Sequence, residues 1–161
     1  MKVWGNVSIR RMGTLVMLAA ALAACEGPKA HRVITELSPI HYNYIYLFAN
    51  YELLLDIGAD GTITARQQTG NTAADVTRAT GQLTPDQKGE LLQAFTGWED
   101  LLPNYPADVT PLYQITFGDH RVVAGNNPAV PPKFKQAQAA LDRVARSILA
   151  PHRATTAPRQ P

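Results

Sequence analysis

The chain has 161 residues, a formal net charge of +2, 45% hydrophobic residues and only 17% charged ones. That is enough for one domain with its own core and too little for two comfortable ones. Its single cysteine, Cys25, excludes an internal disulfide framework and any site built from several thiolates.

Met1–Arg11 carries Lys2, Arg10 and Arg11 without an acid, and Met12–Ala24 follows as a run of apolar or small residues broken only by Thr14. Charge followed by an apolar stretch is the pattern of a secretion signal, here residues 1–24. A membrane-spanning helix needs about 20 apolar residues, and Glu26, Gly27, Pro28 and Lys29 stop this run short. Its end, Leu22-Ala23-Ala24-Cys25, resembles the lipobox of bacterial lipoproteins. The resemblance implies cleavage after Ala24 and lipidation of the Cys25 thiol with palmitate-type chains. Because Glu26 stands where Asp often marks inner-membrane retention, it also implies an outer-membrane anchor facing the periplasm. Each buried methylene contributes about 0.8 kcal/mol, so two or three chains hold permanently where one binds marginally.

Loss of the signal removes three of the 15 basic residues and none of the 13 acidic ones. Setting aside a polar tether, 25–32, and a proline-rich tail, 151–161, leaves a domain over 33–150 with 8 basic and 12 acidic residues. Such a surface does not suit phosphate, so nucleic acid is not an expected partner.

Within the domain, Val33–Phe48 reads as extended. Tyr51–Ile57 and Thr62–Gln67 read as a hairpin. A three-residue loop, Ala59-Asp60-Gly61, would pair Ile57 with Ile63 and Leu55 with Ala65, keeping the apolar residues on one face and giving Gly61 the left-handed position. Val76–Leu83 reads as a further strand. Thr84-Pro85-Asp86-Gln87 then opens a helix, with Thr84 as N-cap, Pro85 at the first helical position and Gln87 completing a capping box. Leu91, Leu92, Phe95 and Trp98 supply its apolar stripe, and Gly97 its stop.

Trp98–Pro111 reads as a loop. A second hairpin follows, with Tyr113, Ile115 and Phe117 on one face, a Gly118-Asp119 turn, and Val122 opposite Ile115. Pro131-Pro132 opens a last helix, whose residues Phe134, Ala137, Leu141, Val144, Ile148 and Leu149 form one stripe and which Pro151 should end. The expected fold is α+β: a small antiparallel sheet of about 4–6 strands built from two hairpins, with two helices packed on one face. At the level of Tyr51–Gly61, Gly81–Phe95, Tyr113–Val123 and Pro131–Leu149, with Trp98, Leu101 and Tyr105 in the linker, the domain resembles emfourin-type metallopeptidase inhibitors and related lipoprotein domains. That resemblance implies a protein-binding role of the inhibitor type.

Catalytic and metal motifs fare poorly. Asp56–Gln67 has some EF-hand positions, but Gly58 and Gln67 stand where ligands belong, and a plain hairpin is preferred. A Ser38–His41 dyad lacks a third member, and Ser147 sits in a helix. His31, His41, His120 and His152 show no metal spacing. Glu99-Asp100 are adjacent on a loop, unsuited to paired acid–base work. No enzyme activity, cofactor or metal is expected. Tyr42, Tyr44 and Tyr46 alternate and would share one strand face. With Trp98 and Tyr105 they form the candidate partner surface, since Tyr and Trp favour interfaces. The leading expectation is a lipid-anchored envelope protein with a non-catalytic protein-binding domain; the alternative is a module that binds a small ligand or metal.

Overall fold

The structure is a computed structural model and describes residues 33–106 and 110–153. The expected signal, Cys25 and the tether lie outside the described residues, as do 107–109 and the tail from Ala154. Among the described residues, no helix is long and apolar enough to cross a membrane.

Six strands, β1 (Ile40–Tyr46), β2 (Tyr51–Ile57), β3 (Thr62–Gln68), β4 (Val76–Gln82), β5 (Leu112–Phe117) and β6 (His120–Gly125), form one antiparallel sheet in the order β4-β3-β2-β1-β5-β6. Two helices, α1 (Pro85–Phe95) and α2 (Pro132–Arg153), complete the α+β arrangement. Only the later part of the expected extended segment, Ile40–Tyr46, is strand. Leu47–Ala49 winds into a 3-10 turn, and Asn50 enters the left-handed region at φ 47° to start β2.

Strand alternation decides what is buried. In one row Ile40 opposes Ile57 and Phe117, and Ile57 opposes Ile63; in the next, Tyr42 opposes Leu55 and Ile115, and Leu55 opposes Ala65. These residues join one core with α1 and α2, and a one-residue slip would turn the whole set outward. The opposite face carries cross-strand polar pairs, among them His41 with Asp56 and Arg66 with Glu52. The first hairpin has the expected register: Gly58 N–H donates to the Thr62 carbonyl at 2.8 Å, and Gly61 takes φ 85°.

Local signals set both helices. Thr84 and Gln87 form the reciprocal capping box with Pro85 in the first turn, and Gly97 follows the helix in the left-handed conformation. At Gly81 on β4, α2 comes so close that a Cβ would lie 2.6 Å from Ile148 Cδ1, which explains a residue without a side chain there. The end of α2 departs from expectation: it does not stop at Pro151 but continues to Arg153. In a last turn a proline forfeits one hydrogen bond, and the clash with the preceding turn is relieved where helix ends fray.

Aromatic rings tie the layers together. Phe117 stacks on Phe95 at 4.6 Å, Phe95 meets Trp98 at 4.9 Å, and Trp98 lies 5.9 Å from Phe134. Phe134 meets Tyr113 at 6.5 Å, and Tyr113 stacks on Tyr44 at 4.9 Å. The loop after Trp98 flanks the β6 edge, where Val123 N–H donates to the Pro103 carbonyl and Tyr105 N–H to the Val123 carbonyl. Pairing by a loop blunts an edge that would otherwise invite another strand.

Candidate functional site

Between the helix-covered face of the sheet and α2, a cavity of about 350 Å³ opens at the end of the sheet that holds Tyr44 and Tyr51. Alternation along β1 points Tyr42 and Tyr44 to this side, and pairing places Tyr113 directly across from Tyr44. Tyr51 reaches the same group, its ring 5.3 Å from that of Tyr44. The helical wall comes from Gln138, Asp142, Ala145, Arg146 and Leu149, spaced three and four apart so that one face of α2 looks into the cavity. Leu53 and the buried Gln67 finish the lining from β2 and β3.

The polar groups of this cavity are tied together across the fold. Tyr42 hydroxyl donates to Asp142 Oδ1 at 2.8 Å, linking residues a hundred positions apart. Gln138 faces both Asp142 and Tyr113, and its amide favours the ionised form of each. Burial pushes the Asp142 carboxyl above the usual carboxylate range, although the Tyr42 hydroxyl and the Arg146 charge pull the other way. Burial, followed by the Asp142 charge, pushes the Tyr42 phenol far up, so it remains a donor. Tyr44 and Tyr113 are raised as well, first by burial. Arg146 gives its Nε–H to the Asp142 main-chain oxygen at 3.2 Å.

The expected partner surface is therefore redistributed. Tyr42 and Trp98 are each only 1% exposed and cannot present a contact face in this conformation. The reason is the same for both: their side of the chain is the one that α1 and α2 cover. Trp98 spends its indole N–H on the His120 carbonyl at 3.1 Å. Tyr44 is half-buried in the pocket. Tyr105 is half-buried against the core, and its hydroxyl accepts the Leu102 N–H. Tyr46 alone of the five reaches the exposed range, at the β1–β2 turn beside Leu47 and Phe48, which are 66% and 80% exposed. Sequence reading missed Asp142, Gln138 and Arg146; their spacing on α2 was a visible signal, but nothing local paired it with the tyrosines.

Other candidates resolve simply. His41 Nδ1 meets Asp56 Oδ1 at 2.6 Å on the exposed face, while among the described residues no hydrogen bond joins Ser38 to His41. Asp60 accepts from the Thr62 N–H and hydroxyl at 3.0 and 2.5 Å, as a hairpin loop does. Those bonds lower the Asp60 carboxyl below its ordinary range. Glu99 and Asp100 lie exposed in a 3-10 turn. Among the described residues no group of His, Cys, Asp and Glu is placed to hold a metal ion. A second, larger cleft of about 640 Å³ runs between the segment from Val33 and the β5–β6 turn. One wall of it is the irregular stretch before β1, with Val33 74% exposed, so it lacks the fixed framing of the tyrosine pocket.

No protein-family model matches the chain, and a search of curated proteins finds no match either.

Proposed function

We propose that this chain is a lipid-anchored envelope protein whose α+β domain is a non-catalytic binding module, and that the tyrosine pocket is its ligand site. The anchor rests on the sequence pattern that ends at Cys25. The binding role rests on one observation: a cavity of about 350 Å³ with an aromatic floor and a few converging polar groups fixed by hydrogen bonds between distant elements. Volume and composition of this kind suit a small molecule. A thermal-shift screen of metabolites, calcium and zinc on the full chain tests it, run beside Gln138→Trp, which would fill the pocket from its half-buried rim. The reading expects an organic compound that raises Tm in the parent and not in the filled variant. Equal shifts in both would remove the pocket from the account.

A second reading is supported by the exposed Tyr46, Leu47 and Phe48. In it the domain binds a protein partner of the peptidase type through this turn, since exposed aromatic and aliphatic side chains favour interfaces. A metallopeptidase inhibition assay with a crosslinked pull-down, comparing the parent with Phe48→Ser, tests it. Inhibition or capture that ignores Phe48→Ser would count against this surface.

A further inference from the structure

Asp142 and Arg146 stand one turn apart on α2, the spacing at which opposite charges on a helix ordinarily close on each other. Here they do not form an ion pair. The Asp142 carboxylate is drawn to the Tyr42 hydroxyl, 2.8 Å away, while Arg146 turns its Nε–H to the Asp142 main-chain oxygen. The ion pairs His41–Asp56, Arg66–Glu52 and Arg143–Glu90 do not include Arg146, whose guanidinium acts on the Asp142 carboxylate only from beyond ion-pair distance. The pocket wall thus presents a separated negative and positive charge beside the rings of Tyr44, Tyr51 and Tyr113.

We propose that the pocket takes a small zwitterion of the amino-acid or betaine class, its carboxylate at Arg146 and its cationic nitrogen between Asp142 and the tyrosine rings. The inference rests on the pocket reading and adds the ligand class. A guanidinium offers forked donors that match a carboxylate. A carboxylate flanked by aromatic rings suits an ammonium or quaternary nitrogen, through charge and through the ring quadrupole. A lone anion would meet Asp142 unfavourably, and a lone cation would meet Arg146 unfavourably. A ligand carrying both charges at short separation satisfies both groups at once.

The test is a calorimetric titration of the full chain in detergent with glycine betaine and L-leucine as zwitterions, choline as cation alone, pentanoate as anion alone, and glucose as a neutral polyol. Tyrosine ring NMR signals are followed in parallel. At least one zwitterion should bind about tenfold or more tighter than choline, pentanoate and glucose. Asp142→Asn, which keeps an acceptor for Tyr42, and Arg146→Gln should each lose about tenfold for that zwitterion. The selectivity series in the parent needs no variant, so a misfolded variant leaves the proposal testable. Glucose, choline or pentanoate binding best while moving the pocket rings would overturn the zwitterion inference and leave the pocket reading standing. No probe moving those rings would overturn the inference, and the metabolite screen with Gln138→Trp then decides the pocket reading separately.

Discussion

Replacing Tyr42 by Phe removes one oxygen and leaves the ring in place, which isolates the bond that joins the central strand to α2. The lost hydroxyl is the donor to Asp142 Oδ1 at 2.8 Å. A hydrogen bond to a charged group contributes about 1.5–3 kcal/mol when well buried. Asp142 is only partly buried, and solvent screening reduces this to about 1–2 kcal/mol. For a domain of this size that corresponds to a fall in Tm of about 5 °C at neutral pH. The pH dependence follows from the Asp142 carboxyl, which burial raises above its unfolded value. In the window between the two values the folded state holds more protons, so the Asp142 contribution to stability is greatest below the window and declines as pH rises through it. Tyr42 moderates that decline. Its removal raises the carboxyl further, so the cost of Tyr42→Phe is largest above the folded value and shrinks on acidification through the window. Thermal melts of both proteins across pH 3.5 to about 7.5, bracketing the ordinary carboxylate range, measure this. A cost that is absent at neutral pH, or equal at both ends, would refute the argument.

Three further perturbations test separate links. Gly61→Ala forces a Cβ into a φ of 85° with Gln82 Nε2 3.0 Å away; it should cost about 1–2 kcal/mol in denaturant unfolding, and an unchanged midpoint would contradict the assigned turn. Thr84→Ala dismantles the capping box of α1 and should cost about 1 kcal/mol, with Thr84→Ser recovering most of it. Cys25→Ser should abolish palmitate labelling of the chain in cells; retained label would contradict the anchor.

What could be read in the sequence was local. The Ile57–Ile63 register followed from where Gly61 can sit, and the start of α1 followed from Thr84, Pro85 and Gln87, because turn and cap chemistry act within a few residues. Alternation showed that Tyr42, Tyr44 and Tyr46 share a face, but not whether that face is covered. Coverage depends on α2, whose Asp142 meets Tyr42 from a hundred residues away. The central position of β1 was hidden for the same reason, since its two neighbours are assigned by long-range pairing. Trp98 was open to two readings, an apolar stripe residue and an interface residue, and the 3-10 turn settles it by directing the ring inward against Phe95 and Phe134.

The pocket reading is tested most directly by the ring NMR signals of the six tyrosines, assigned in the full chain and followed while an envelope metabolite extract is added. The account predicts that Tyr44, Tyr51 and Tyr113 shift together while Tyr105, tied to its own loop, stays fixed. Shifts confined to Tyr46, or pocket rings that do not move, would contradict it.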